Sequence, residues 1–333
     1  MADKSNDKQR ALRTSRGRSG RAKLPLIGAQ VSTAGGFAPV PERAVAIGAE
    51  VVQIFSSNPR TWRTRSPGLE EIAFLTSGLR RHSLPLYLHT IYLINLASPD
   101  EELRKRSTSA LAHALATGAL TEAAGVVTHV GSHKGTGFDS AATRIVQAIR
   151  SAFEEADERL ADLGHAEGLP PLLLENSAGA GHTVGARLEE LAALLDASPR
   201  GRRVGLCLDT AHLFAAGHPV HETAGLEKLV SGLRDLGLLD RVLLIHLNDS
   251  ASPFASNRDL HENPGDGLIG YTGLSRVIRY PAFARVPFVL EVPGADGRGP
   301  DAAAITVAKS MREEAARPPE GPAHAAKRRA EQE

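Results

Sequence analysis

Short apolar segments recur along the chain from residue 24 onward, and longer amphipathic stretches separate them. Each segment is rich in Val, Leu and Ile and is almost continuously apolar, which is typical of parallel strands that are covered on both faces. Eight segments fit this description, at residues 26–31, 51–55, 86–89, 126–130, 172–175, 205–209, 242–247 and 288–291.

The stretches between these segments predict helices, because their apolar residues recur with a helical period. They lie at residues 41–48, 107–124, 141–163, 184–195, 225–236, 272–280 and 302–311. Eight strands that alternate with helices predict an α/β fold, a single (β/α)8 TIM barrel. A doubly wound parallel sheet is the alternative architecture, since the number of strands is uncertain from sequence.

The two ends of the chain lack a hydrophobic period and are predicted to be disordered tails, at residues 1–23 and 312–333. Residues 24–311 then form the barrel domain. The net charge is +1, but the first 23 residues hold eight Lys and Arg against two Asp, and the last tail is balanced. The barrel domain therefore carries −5, which makes it a poor binder of nucleic acid unless bound cations reverse that charge.

Composition narrows the class of protein further. The chain is 42% hydrophobic, enough for a sizeable core, and its single cysteine, Cys207, excludes a disulfide framework or a cysteine-based zinc site. It has no apolar run of membrane-spanning length and no apolar signal-peptide core near residue 1. We expect a cytoplasmic protein that does not associate with membranes.

The ends of the predicted strands carry the candidate chemistry, because the active site of a TIM barrel lies at the carboxyl ends of its strands. Six consecutive strands end at or near a residue of a type that binds zinc. A single such residue is usually a core histidine or a helix cap, but six at one rim predict a metal site. These residues are His89, His129, Glu175, Asp209, His246 and Glu291.

Two short motifs add ligands to this rim. In Asp209-Thr-Ala-His212 the imidazole follows the carboxylate by one helical turn, and in Asp259-Leu-His261 both side chains point to one side of an extended loop. His212, Asp259 and His261 can form a set that leaves one coordination position open. Gly265-Asp-Gly267 predicts a tight turn just after them.

A rim with several divalent ions and no obvious nucleophilic side chain favours hydrolysis of a phosphate ester. A carboxylate such as Glu175 can bridge two metals, and paired metals clamp a phosphoryl group during in-line displacement.

The motifs along the barrel domain resemble those of the endonuclease IV family, the zinc-dependent apurinic/apyrimidinic endonucleases of base excision repair. The resemblance covers about residues 24–311, in order and with similar spacing. It rests on Gly28-Ala-Gln-Val-Ser-Thr-Ala-Gly-Gly36, Tyr92-Leu-Ile-Asn-Leu96, His129-Val-Gly-Ser-His133, Leu174-Glu-Asn-Ser-Ala-Gly-Ala-Gly181, Leu208-Asp-Thr-Ala-His212, His246-Leu-Asn-Asp249, Asp259-Leu-His261, Gly265-Asp-Gly267 and Leu290-Glu291.

The resemblance implies a TIM barrel with three Zn²⁺ ions per chain, for which Mn²⁺ can substitute. One ion is expected at His89, His129 and Glu175. Glu175, the implied catalytic residue, bridges to a second ion. The second ion is completed by Asp209, His246 and Glu291, and the third lies at His212, Asp259 and His261.

The implied reaction is incision of double-stranded DNA at abasic sites. Zinc-activated hydroxide attacks the phosphodiester 5′ to the site and leaves a 3′-hydroxyl and a 5′-deoxyribose phosphate. Arg60, Tyr92 and Leu93 match positions with which the family enters the DNA and fills the gap left by the flipped nucleotide. We expect a monomer that associates with the nucleoid through DNA.

Two departures from the family pattern lie close to the implied metals. Gln30 stands where relatives usually have His, and Leu260 stands where they commonly have Arg, which removes a possible phosphate contact.

Two other functions remain open from the sequence. A metal-dependent sugar isomerase or epimerase uses a similar barrel and could employ Glu175, Asp209, His246 and Glu291, but it gives His212, Asp259 and His261 no role. A DNA-binding relative without catalysis is the second, and the intact set of ligands argues against it.

Overall fold

The computed structural model describes residues 24–165, 168–198 and 204–313. Within them, eight parallel strands close into a barrel, and each strand pairs with its neighbours in chain order. The predicted TIM barrel is therefore confirmed. The strands are β1 (Ile27–Gln30), β2 (Val52–Phe55), β3 (Leu86–His89), β4 (Gly125–His129), β5 (Leu172–Glu175), β6 (Val204–Asp209), β7 (Val242–His246) and, closing the barrel against β1, β10 (Phe288–Leu290).

A short antiparallel ribbon is inserted after β7. Its strands β8 (Asp249–Ser250) and β9 (His261–Glu262) pair with each other and not with the barrel. The ribbon anchors the loop that contains Asp259 and brings it over the carboxyl ends of the barrel strands.

Helices surround the barrel on its outer face. They are α1 (Val40–Ala46), α2 (Leu69–Arg81), α3 (Glu101–Leu120), α4 (Phe138–Asp162), α5 (Leu188–Ala197), α6 (Thr210–Ala215), α7 (Thr223–Asp235), α8 (Gly270–Ile278) and α9 (Ala302–Glu313). In the described part of the chain, no helix is long and apolar enough to cross a membrane.

Several helix boundaries differ from the sequence prediction by a few residues, and three helices show the larger differences. Helix α2 was not predicted, although it buries Ile72, Leu75 and Leu79 at helical spacing. Helix α3 begins six residues before the predicted start at Ser107, because the Asp100 side chain accepts hydrogen bonds from two first-turn N–H groups. The short helix α6 directly follows β6, where the motif Asp209-Thr-Ala-His212 indicates a helical turn, although it was not among the predicted helices.

The last helix extends two residues beyond its predicted end at Met311. Helix α9 continues to Glu313, so Arg312 and Glu313 are helical. Arg312 donates to Glu50, and the Glu50 carboxylate also accepts the N–H of Ile27 at the start of β1. This contact ties the last helix to the first two strands. The other tail residues, 1–23 and 314–333, lie outside the described part of the chain.

The barrel has two hydrophobic layers. The larger lies between the strands and the helices, and the smaller fills the amino-terminal half of the barrel interior, which we call the floor. The first two strands approach so closely that a Cβ atom at Gly28 would lie 1.7 Å from the Val51 carbonyl oxygen, so only glycine fits there. The floor consists of Val51, Tyr87, Val127, Leu173, Cys207, Leu244 and Val289.

Candidate metal centre

On seven of the eight barrel strands a polar residue follows the floor residue by two positions, on six of them at or just past the end of the strand. On β1 the polar residue Gln30 follows Gly28 by two positions. Side chains in a strand alternate between its two faces, so the residue two positions beyond a floor residue also points into the barrel, closer to the carboxyl end. We call this ring of residues the mouth. Its members are Gln30, Gln53, His89, His129, Glu175, Asp209, His246 and Glu291.

Glu175 lies at the centre of the mouth and is buried. Its Oε2 atom lies 3.2 Å from Nε2 of His89 and 3.6 Å from Nε2 of His129. Its Oε1 atom lies 3.1 Å from Nδ1 of His246 and 3.4 Å from Nδ1 of His212. One carboxylate therefore faces four imidazoles, two on each oxygen.

Two overlapping groups of potential metal ligands share Glu175. The first is His89, His129 and Glu175, and the second adds Asp209, His246 and Glu291 to Glu175. In the second group, Nδ1 of His246 lies 3.1 Å from Oε2 of Glu291 and 3.8 Å from Oδ2 of Asp209. The structure thus brings together the members of both predicted ligand sets.

A third group lies beneath the ribbon loop. Nε2 of His212 and Nε2 of His261 lie 3.1 Å and 3.2 Å from the two oxygens of Asp259. Asp209 also reaches this group, since its Oδ2 atom lies 3.6 Å from Nε2 of His261, and Asp209, His212 and His261 form a potential ligand group of their own. Asp209 therefore faces two groups, whereas the sequence assigned it to one.

Hydrogen bonds to backbone carbonyls orient three of the imidazoles. Nδ1 of His89, His212 and His261 donates to backbone carbonyl oxygens, of Thr90 at 2.7 Å, Asn176 at 2.9 Å and Glu291 at 3.2 Å. Such a bond fixes the tautomer and leaves the Nε2 lone pair directed at the cluster.

Two asparagines hold the carboxylates. The Asn248 amide donates to Oδ2 of Asp209 at 2.6 Å and its oxygen accepts the N–H of Glu291 at 2.8 Å. The Asn176 oxygen accepts the N–H of Asp209 at 2.7 Å. Both asparagines are buried, and neither was assigned a role from the sequence.

The residues fit divalent metal ions on a further observation. Nε2 of His212 and Nε2 of His261 are buried, and although the Asp259 oxygens lie 3.1 Å and 3.2 Å away, neither nitrogen makes a well-aligned hydrogen bond among the described residues. Imidazole nitrogens and carboxylate oxygens that converge on one buried point form a donor set that zinc and similar divalent ions prefer.

The charges of the cluster also favour a cation. Burial alone would raise the pKa of Glu175, but the histidine rings around it hold that pKa well below its ordinary value. Burial opposes protonation of His212, yet Asp209 and Asp259 raise its pKa well above the ordinary value. The carboxylates therefore attract positive charge into a buried space, as they would attract divalent ions.

Asp249, in β8, ties the ribbon to the turn that follows Asp259 and His261. Its buried carboxylate accepts the N–H groups of five residues at 2.8–3.2 Å. The predicted tight turn is confirmed, since Gly265 has a φ of +92° and a Cβ atom at Gly267 would lie 2.5 Å from the Asp249 carboxylate. The N–H donors belong to Ser250, Gly265, Gly267, Ile269 and Gly270.

A groove of about 1320 Å³ adjoins the mouth on the side of β1 and β2. Arg60, Arg63, Arg65 and Arg298 line it, although Arg65 is paired with Glu71. The groove does not contain the ligand cluster but meets it at Tyr92.

The predicted DNA-contacting residues lie around this groove. Arg60 is exposed, and Tyr92 is 55% exposed although its ring centroid lies 5.9 Å from that of His89. The Tyr92 N–H donates to the Pro59 carbonyl at 3.0 Å, which joins its loop to that of Arg60. Leu93 is half-buried against the core.

Gln53 is the mouth residue that the sequence reading overlooked. It is fully buried and hydrogen-bonds to Gln30, His246 and Glu291. A glutamine within the apolar run Val51-Val-Gln-Ile-Phe55 was the available signal, since a polar residue at an inward position needs partners.

Of the two departures from the family pattern, Gln30 is the one that joins the cluster, through its bond to Gln53. Leu260 is 54% exposed and lies between two residues that face the third group, so strand alternation directs its side chain away from that group.

Comparison with known proteins first identifies the broad class of TIM barrel to which this chain belongs. Residues 41–314 match the family model described as the xylose isomerase-like TIM barrel. A D-tagatose 3-epimerase-like protein has the same fold, with a TM-score of 0.61, 16% identity and coverage of 86% of this chain and 95% of its own. At that identity the likeness concerns the fold alone.

The particular family follows from more similar proteins. A probable endonuclease 4 of Halothermothrix orenii is 38% identical over 276 residues, which cover 83% of this chain and 96% of the relative. The crystal structure of endonuclease IV from Thermus thermophilus has a TM-score of 0.75 and 36% identity, with coverage of 87% of this chain and 100% of that one. This chain belongs to the endonuclease IV family.

Proposed function

We propose that this protein is a DNA-repair endonuclease that hydrolyses the phosphodiester 5′ to abasic sites in double-stranded DNA. In this proposal it acts as a monomer with three Zn²⁺ ions, which Mn²⁺ can replace, and leaves a 3′-hydroxyl and a 5′-deoxyribose phosphate. The observation that carries the proposal is that three potential ligand groups are linked by shared carboxylates, Glu175 and Asp209. The chain also belongs to the endonuclease IV family.

The proposed ligands of the three ions divide as follows. One ion is assigned to His89, His129 and Glu175, the second to Glu175, Asp209, His246 and Glu291, and the third to His212, Asp259 and His261. When bound, such ions activate water and neutralise charge on the phosphate and the leaving oxygen.

The chain itself supplies orientation. Backbone carbonyls set the tautomers of His89, His212 and His261, and Asn248 holds Asp209 and Glu291 in fixed positions. Because these hydrogen bonds orient the ligand side chains, the reacting groups require little reorganisation during the proposed reaction.

The arginine-lined groove supports a nucleic-acid substrate. Its guanidinium groups suit phosphate oxygens, and the side chain of Tyr92 is exposed between the groove and the ligand cluster. We propose that Arg60 contacts the DNA backbone and that Tyr92 and Leu93 occupy the gap beside the flipped abasic nucleotide.

A sugar isomerase or epimerase remains the competing function, because such enzymes share the fold. A single metal site formed by Glu175, Asp209, His246 and Glu291 would suffice for that chemistry. It does not explain why His212 and His261 converge on Asp259, and it does not use the arginine groove.

The test is incision of a duplex with one abasic-site analogue by the parent and by Glu175→Gln, with metal content measured on the same samples. We expect cleavage 5′ to the analogue by the parent and a loss on the order of 10³-fold in the variant, since the bridging carboxylate is removed. Glu158→Gln, exposed on the outer helix α4, is the matched control and should cleave normally.

The other outcomes discriminate between functions. Parent protein with about three bound ions but no cleavage would indicate another phosphate ester as substrate. Parent protein with one or two ions and no cleavage would favour sugar isomerisation. Cleavage that survives in Glu175→Gln would reject the proposed role of that carboxylate.

A further inference from the structure

Gln53 is a buried amide at an inward position of β2, an otherwise apolar strand. Its side chain is fully removed from solvent. Its Nε2 atom donates to Oε1 of Gln30 at 2.8 Å and to Oε1 of Glu291 at 2.6 Å, and its Oε1 atom lies 2.9 Å from Nε2 of His246. All the hydrogen-bonding partners of this amide therefore belong to the mouth.

These partners determine which way the amide faces. The Glu291 carboxylate can only accept, so the NH₂ group of Gln53 must point at Glu291, and its second hydrogen is then donated to the Gln30 amide oxygen. The reversed amide would place its oxygen against two other oxygens. The Gln53 oxygen consequently faces His246, and it can only accept a hydrogen bond.

The orientation of Gln53 in turn fixes that of His246. Because the amide oxygen accepts, Nε2 of His246 must carry a hydrogen, and its Nδ1 atom is the ring nitrogen left for the cluster. Nδ1 lies 3.1 Å from both Glu175 and Glu291. His246 is thereby unlike His89, His212 and His261, which donate from Nδ1 and present Nε2.

We propose that Gln53, oriented by Gln30, is the positioning residue of the second metal site: it sets the tautomer of His246 and holds Glu291 beside it. This proposal rests on the metal centre of the proposed function. It gives Gln30 a purpose as well, because its amide oxygen secures the second hydrogen of the Gln53 NH₂ group.

The test is titration of metal-free protein with Zn²⁺ and with Co²⁺ against a competing chelator, for the parent and for Gln53→Met. Methionine keeps the length of the side chain but forms none of the three hydrogen bonds. We expect one ion to bind about 10- to 100-fold more weakly, as for other residues that orient metal ligands, while two ions keep the parental affinity. The visible absorption bands of the Co²⁺ ion at that site should change.

Val51→Ala is the control for a merely structural effect, since Val51 is on the floor, at the inward position two residues earlier in the chain. It should lower the melting temperature and leave all three affinities unchanged. Gln30→Met is a second variant, in case Gln53→Met does not fold. It should weaken the same ion by a smaller factor.

Three results would overturn the proposal: parental affinity for all ions in Gln53→Met and Gln30→Met, equal weakening of all three ions, or the same loss in Val51→Ala. Failure of the proposed function looks different, because the parent itself would then bind fewer than three ions or fail to cleave.

Discussion

The floor and the mouth of the barrel are built by the same strands but contain side chains of opposite character. On β5, Leu173 is packed among the other floor side chains, and Glu175, two positions later, faces four imidazoles. The floor is largely apolar, and its one hydroxyl, on Tyr87, donates to the Leu243 carbonyl, whereas the mouth concentrates charged groups that attract cations. Stability and chemistry are therefore separated along each strand by about 7 Å, the length of two residues.

The largest effect expected from this comparison is on stability at the floor. Leu173→Ala should lower the free energy of unfolding by about 2–5 kcal/mol, because it leaves a cavity in a closed hydrophobic layer. Urea unfolding measures this loss. Cleavage per folded molecule should stay near the parental value, in contrast to Glu175→Gln on the same strand. A comparable loss of cleavage in both variants would mean that floor and mouth are not separable.

A smaller effect is expected from Asp249→Asn, which tests whether the mouth needs its ribbon loop. The neutral amide cannot accept five N–H groups as the carboxylate does, so the loop should loosen at a cost of about 1–3 kcal/mol. We expect loss of the ion at His212 and His261, measured as a drop from three bound ions to two. Retention of all three would show that the loop holds its shape without the charge.

The smallest effect concerns the ion pair of Glu50 and Arg312 beside the first strand. Burial favours the neutral form of Glu50, but Arg312 and the N–H of Ile27 hold its pKa below the ordinary value of 4.5. A lowered folded-state pKa contributes stability above the unfolded value, and this contribution is lost as the pH falls through the folded value.

Arg312→Met should therefore cost roughly 1 kcal/mol or less at pH 7, since the Glu50 carboxylate is partly exposed. The difference from the parent should shrink as the pH falls below 4.5. Urea unfolding of both proteins at neutral pH and at about pH 3.5, below the ordinary carboxyl pKa, measures it, with exposed Arg81→Met on α2 as the control. A difference that stays constant with pH would assign the effect to packing of the arginine stem.

The sequence alone determined the eight strands and the end of the barrel at which their potential metal ligands lie. Both follow from local rules, because strand alternation and the direction of a parallel strand decide which side chains reach the mouth. The nine predicted ligands could be named for the same reason: each follows a strand or lies in a short motif. The helix α2 could also have been found, since its apolar spacing is helical.

Only the tertiary structure shows which residues of different strands contact each other. Three features depend on contacts between residues up to 193 positions apart. Asp209 faces two ligand groups, Asn248 joins Asp209 to Glu291, and Gln53 contacts His246. Such contacts depend on the closure of the barrel, which sets the distances between strand ends. Sequence pattern places a residue on a face, whereas only the closed fold determines which partner meets it there.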